Sequence, residues 1–361
     1  MDSTKKRQSN IELLRVITML GVIILHYNNP SIGGAMKYVV PGSLNFYMLY
    51  ILESVFVCAV DLFVLISGFF LCTSYKRSWW KTIELLVQVI LFSEAIYVFK
   101  VIIGAEAFSP KKIVLHLIPS NYFVILYIAV FLISPFINKL LDDITKKQFN
   151  ILLVMLICMF SIEPTIVDIL GELKGSAVIG LSFVGMYGSQ WGYSVVNFIL
   201  MYIVGAYLRK NIDSIKNIGY SKLLIILATG VAIMTIWSRI DDKIGYLTEK
   251  TAWEYCNPVV ILSACIIFVC FYKMDIGYRG VVNKLAAGAF SVFLLHNPIL
   301  SLIGINKYVN MNCAIMLIHI IICALAIYLI CWCIWWVYDK IMSVVYNVLK
   351  KRIHIPDINV E

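Results

Sequence analysis

Five ionisable residues, Arg15, His26, Asp61, Glu94 and His296, lie inside apolar stretches of a 361-residue chain. Placing such a group at the centre of a bilayer-spanning helix costs several kcal/mol on insertion scales, so each is a candidate for function. Imidazole is the side chain best suited to move a proton near neutral pH, and a nearby carboxylate can orient it. Arg15 and His26 are eleven positions apart. At helical pitch that spacing sums to about 1100°, which puts both side chains within roughly 20° of one face and about 16 Å apart along the axis. Arg15 then lies toward the inner end of the first helix, and His26 toward its outer half.

Counted from the inner helix ends, His26 lies about 22 Å deep, Asp61 about 16 Å, Glu94 about 18 Å and His296 about 16 Å. The offset between His26 and Asp61 is near one helical turn, which allows a carboxylate–imidazole pair. Four ionisable groups at similar depth on four helices point to a polar internal cavity. Asn297-Pro298 follows His296, and proline there breaks a helical hydrogen bond where irregular backbone is tolerated beside a cavity. Ser67, in Ile66-Ser67-Gly68-Phe69, is a candidate donor to developing negative charge together with His296 and Asn297. An ordinary structural reading stands beside each residue. Arg15 can snorkel to inner headgroups, and His26 can sit at the interface. Asp61, Glu94 and His296 can hydrogen-bond neighbouring helices, and Ser67 with Gly68 can simply pack them. His319, alone in Leu317-Ile318-His319-Ile320, reads as packed or lipid-facing. Cys331 and Cys333 form the one close pair among ten cysteines, and with no His or carboxylate cluster nearby no metal site is readable. Most other cysteines act as small hydrophobes.

The elements that must hold these groups follow from composition. Only 14% of residues are charged and 61% are hydrophobic, with mean hydropathy +0.87, whereas a soluble domain carries about 25% charged residues. Lipid is therefore the expected solvent. Ten stretches reach or approach the length of a spanning helix: 11–29, 46–72, 82–103, 121–141, 149–168, 193–208, 221–238, 257–273, 285–304 and 312–338. The expected fold is an all-α, polytopic transmembrane bundle of about ten spans.

Charge distribution orients it. With the N-terminus in the cytoplasm, 20 of the 30 Lys and Arg fall in cytoplasmic segments and nine opposite, while Arg15 lies within the first span. This asymmetry obeys the positive-inside rule and places both termini in the cytoplasm. The same segregation accounts for the net charge of +9 without a nucleic-acid partner, which is not expected. Three parts are expected: a cytoplasmic segment 1–10, a membrane domain 11–338 and a basic cytoplasmic tail 339–361. The Lys-Lys-Arg start imitates a secretory signal, but Arg15 interrupts the apolar run and further spans follow, so the first helix reads as uncleaved. The longest loop, about 164–192, contains six glycines, which suits a flexible segment or one folded over the outer mouth.

Arg15 with ten residues before His26, followed by Val60-Asp61-Leu62-Phe63-Val64-Leu65-Ile66-Ser67-Gly68-Phe69, resembles the acyltransferase 3 family. So do Asn121-Tyr122-Phe123 through to Pro135, Met201-Tyr202-Ile203-Val204-Gly205, and Phe293-Leu294-Leu295-His296. The resemblance runs from about residue 8 to residue 338. It implies a ten-helix membrane enzyme that transfers acyl groups, usually acetyl from cytosolic acetyl-CoA, to carbohydrates outside or crossing the membrane. It further implies that His26 is the catalytic residue and Arg15 an essential part of its motif. Family members often carry two arginines three apart after the second helix, thought to meet CoA phosphates. Here the segment reads Ser74-Tyr75-Lys76-Arg77-Ser78-Trp79-Trp80-Lys81, without the second arginine, and Lys76, Arg77 and Lys81 are the residues left to bind acyl-CoA. Some relatives add a soluble catalytic domain after the helices. This chain ends 23 residues after Tyr338, so such a partner is expected to be a separate envelope-biosynthesis protein.

The expected activity is thus O-acetyl transfer at the plasma membrane, from acetyl-CoA as co-substrate to a cell-envelope or capsular polysaccharide unit, lipid-linked or free. His26 would be the base, with Asp61 orienting it. Two other readings stay open: a carrier that moves acyl groups or lipid-linked sugars without catalysis, and a membrane sensor module. Paired broken helices in inverted repeats would favour a carrier, and only the Asn297-Pro298 interruption is evident.

Overall fold

The computed structural model describes residues 7–244 and 250–361, so the expected Lys5 and Lys6 of the N-terminal segment lie outside the described residues. The chain forms an all-α polytopic bundle. Its spans are α1 (Ser9–Asn28), α2 (Leu44–Leu71), α3 (Trp79–Ile102), α4 (Tyr122–Asp143), α5 (Lys146–Lys174), α6 (Val195–Lys210), α7 (Tyr220–Ile244), α8 (Pro258–Lys273), α9 (Ala289–Leu300) and α10 (Cys313–Arg352). All ten fall on the stretches expected from the sequence. Among the described residues eight helical stretches are long and apolar enough to cross a bilayer, the one containing α8 counted from Thr251 to Lys273, while α6 and α9 fall short of that length and pack among the others.

Local sequence explains the interruptions. In α2 the helix loosens at Val57–Cys58 and restarts at Ala59, which puts Asp61 in a first helical turn, where free amides and the helix dipole favour negative charge. In α5 a π-helical stretch, Cys158–Ile162, precedes Pro164. The extra residue accommodates the proline, so the helix continues to Lys174 instead of ending near 168. The outer loop therefore begins at Gly175, later than expected. Before α9, a short helix Gly280–Ala287 ends at Gly288, where a Cβ would stand 2.6 Å from the Trp332 ring.

The closest helix pair is α2 with α6. A Cβ on Gly68 would lie 2.1 Å from the Tyr202 carbonyl oxygen, and one on Gly205 2.3 Å from that of Leu65. Small residues facing each other let the two backbones approach, the usual device for helix association in lipid. Around this pair, α4 and α8 complete one apolar core. A second core joins α1, the outer half of α2, α9 and α10. Outward residues of α10 such as Ile318, Ile322 and Leu325 are exposed, as a lipid-facing surface requires.

The tenth helix departs from expectation. It runs 40 residues to Arg352, about 60 Å or twice the hydrocarbon thickness, instead of stopping near 338. The residues beyond it return along the basic side, where β2 (Ile358–Asn359) pairs antiparallel with β1 (Lys76–Arg77). Lys76 also forms an ion pair with Glu361 at 3.6 Å.

Candidate active site

His26, near the outer end of α1, faces His296 of α9. Their rings are nearly parallel, with centroids 4.7 Å apart, and Nδ1 of His26 hydrogen-bonds Nε2 of His296. The far side of the second ring fixes the protons: His296 Nδ1 lies 2.9 Å from the Val292 carbonyl oxygen. A carbonyl can only accept, so Nδ1 of His296 carries the hydrogen and its Nε2 is the acceptor. His26 must then donate from Nδ1, which leaves its Nε2 with a free lone pair. In this arrangement a carbonyl and a second imidazole orient the His26 ring. His296 is fully buried and His26 only partly so. The Asn297 side chain sits beside His26, and its buried Oδ1 has no partner among the described residues.

The expected pair between Asp61 and His26 does not form. Asp61 accepts a hydrogen bond from Asn197 Nδ2 of α6 at 3.2 Å, because the loosened turn of α2 aims it toward α6 and not toward α1. Sequence depth counting fixes height but not azimuth, and so could not separate His296 from Asp61 as the partner of His26.

Below the two histidines a cavity of about 1060 Å³ opens toward the basic side. Val22, one helical turn below His26, lines its deep end with Val60, Phe63, Phe123 and Phe293. The Phe293 ring is 5.1 Å from Phe123 and 6.2 Å from the His296 ring. Arg15 and Ser67 both line the wall. Arg15 is held by Glu12 at 3.2 Å, and Ser67 Oγ donates to the Phe63 carbonyl at 3.0 Å. Arg15 and His26 thus share the inward face of α1, one on the cavity wall and the other just above its end. Glu94 stands apart on α3, its Oε1 buried and unpartnered among the described residues.

The mouth is lined by Arg7, Lys81, Lys284 and Lys350, with Glu84 bridging Lys81 and Lys350. Lys81 is therefore where an anionic ligand would meet it, while Lys76 and Arg77 are not among the lining residues. Arg77 is 3% exposed and donates to Ser134 Oγ at 2.8 Å and to the carbonyls of Leu71, Ser74 and Lys76. It clamps the turn after α2 instead of presenting its guanidinium to a ligand, which corrects its expected place at the acyl-CoA site.

Three mouth features were not singled out in the sequence. Trp332, Trp335 and Trp336 on α10 stand on the cavity wall. Gln88 of α3 bonds Ser291 at 2.6 Å across it. Asn283 lines it with both amide atoms buried and unpartnered among the described residues. Buried amides are nearly always satisfied, so one facing a cavity marks a place where a ligand would supply the bonds. Aromatics and amides are common in membrane helices, and no spacing pattern separates these from interface anchors. Among the described residues no group of three or more His, Cys, Asp or Glu is placed to hold a metal ion.

The fold and the site define a polytopic membrane protein with an oriented imidazole above a cavity that opens on its basic side. A family model described as an acyltransferase domain matches residues 8–336, and the chain belongs to that acyltransferase 3 family: it is a membrane acyltransferase. No curated protein and no solved structure matches it.

Proposed function

We propose that the protein is an O-acetyltransferase of the plasma membrane that moves acetyl from cytosolic acetyl-CoA to a hydroxyl of a cell-envelope carbohydrate. The observation that carries this reading is the proton order Val292–His296–His26, which leaves Nε2 of His26 as a base just above the cavity end. The cavity suits the donor. Its basic mouth complements phosphates, the tryptophans offer faces for a nucleotide ring, and Asn283 can bond an amide of the pantetheine arm. The thioester then points toward Phe293 and the histidines.

His26 Nε2 takes the proton of the acceptor hydroxyl as its oxygen bonds to the thioester carbonyl carbon. The carbonyl oxygen becomes an oxyanion, for which the Asn297 amide beside His26 is the candidate donor. When the C–S bond breaks, the proton held on Nε2 passes to the departing sulfur, so the base returns to its starting state. His296 supplies no proton to substrate. It holds the His26 ring in one tautomer, and Arg15 adds positive charge along the donor's path.

The test is acetyl transfer by purified protein from radiolabelled acetyl-CoA to envelope polysaccharide taken from cells lacking the gene. His26→Ala should abolish transfer while the melting profile persists. Undiminished transfer in that variant overturns the reading.

A further inference from the structure

The loop between α5 and α6 carries the only two non-glycine residues at positive φ among the described residues, Gln190 at 55° and Trp191 at 56°. Side chains of L-residues avoid this region, and such strain persists only where surroundings enforce it, most often at functional sites. The surroundings here are specific. Ser189 Oγ accepts from Trp191 N at 2.9 Å and donates to Glu254 at 3.0 Å, and Ser189 N donates to Asp168 at 2.9 Å. Trp191 O accepts from Tyr255 N at 3.2 Å. At the next residue, Gly192, a Cβ would meet Cys256 N at 2.6 Å. The loop is thus fastened to α5 and to the segment preceding α8, and the fastening turns Trp191 outward.

What it presents is an aromatic surface. Trp191, Tyr193 and Tyr122 are 40%, 41% and 43% exposed. The Tyr193 ring lies 6.3 Å from Trp191, 4.8 Å from Tyr122 and 5.0 Å from Tyr255 behind it. The Trp191 indole N–H donates to no group among the described residues. Tyr122 begins α4, and its neighbour Phe123 lines the cavity end against Phe293, beside His296. The surface lies on the side opposite the basic mouth, at the outer edge of the helix that walls the site. A headgroup anchor needs an aromatic ring but no enforced left-handed backbone. Exposed aromatic rings held side by side match the C–H face of a pyranose ring, and the outward indole N–H of Trp191 can reach its hydroxyl rim.

We propose that Trp191, Tyr193 and Tyr122 form the acceptor subsite, a platform on which a pyranose ring of the envelope glycan stacks while a neighbouring hydroxyl reaches His26. This rests on the acyl-transfer reading above. The probe is a set of short oligosaccharides cut from envelope polysaccharide of cells lacking the gene, titrated into the purified full-length protein by calorimetry. Glycine accepts positive φ freely, so Trp191→Gly removes the ring while relieving the loop, and Trp191→Phe keeps an aromatic face. Trp191→Gly should weaken binding by about tenfold, the size of one lost aromatic stacking contact, and raise the acceptor KM equally, with acetyl-CoA affinity unchanged. Trp191→Phe should retain most of the binding, and His26→Ala should bind as the unaltered protein does. Equal affinity in Trp191→Gly, or no binding by the unaltered protein, overturns the platform. Trp191-dependent binding without acetyl transfer supports the platform and defeats the acyl-transfer reading instead.

Discussion

His26 and His296 meet ring to ring, 4.7 Å between centroids and 8° between planes, with the Nδ1 of one on the Nε2 of the other. Two imidazoles so placed cannot both be protonated without repulsion, and the Val292 carbonyl on the far nitrogen of His296 decides which hydrogens are present. In the proposed mechanism His296 is a positioning residue and His26 the base. His296→Ala should therefore lower kcat by about 10²- to 10³-fold, within the range of acid–base contributions, with acetyl-CoA affinity unchanged. His296→Gln, whose carbonyl can still accept from His26, should recover part of the loss. Equal rates for the alanine and glutamine variants would reduce His296 to packing.

The mouth and the turn beside it predict opposite phenotypes for residues that look alike in sequence. Lys81→Ala and Asn283→Ala should raise the acetyl-CoA KM several-fold, the lysine effect shrinking at high salt as surface charge is screened. Arg77→Ala should act on stability, costing about 3 kcal/mol by leaving Ser134 and three carbonyls without their charged donor. Melting temperatures beside KM values separate the two, and an Arg77→Ala protein of normal stability with raised KM would contradict the geometry.

These contrasts show how far the sequence reaches. Apolar length located all ten helices, eight of them long enough to cross a bilayer, since lipid imposes one backbone solution on each. The shared face of Arg15 and His26 followed from pitch alone. The partner of His26 did not, because Asp61 and His296 lie at one depth and only the loosened turn at Val57–Cys58 rotates Asp61 toward Asn197. Arg77 and Lys81 are four residues apart, but a buried clamp and a mouth residue have the same charge. β2 left no pattern, being two residues of a short tail held by a backbone edge.

Gly68 and Gly205 set the spacing of α2 and α6. Each faces backbone and not a yielding side chain, so Gly68→Val or Gly205→Val must separate the helices. The cost should exceed the 1–3 kcal/mol typical of overpacked cores, seen as aggregated or low-yield protein in detergent size-exclusion chromatography. A monodisperse, active Gly68→Val protein would show that the pair can part without loss.

Phe293 stands between the cavity and the histidines, its ring 5.1 Å from Phe123 and 6.2 Å from the His296 ring. In the proposed reaction an acyl group entering from the basic side would meet these rings first, and their bulk would limit the chain length that can reach His26. One methylene in an apolar pocket is worth about 1–3 kcal/mol of discrimination, and removing the Phe293 ring should give back the room that two methylenes need. Phe293→Ala should therefore raise kcat/KM for butyryl-CoA relative to acetyl-CoA by about tenfold or more. The enlarged space also admits water, so acetyl-CoA hydrolysis without acceptor should rise in the same variant. Competition between the two thioesters in one reaction, with products resolved by mass spectrometry, measures the ratio directly. An unchanged preference would move the control of acyl length away from the aromatic end of the cavity and toward the acceptor side of His26.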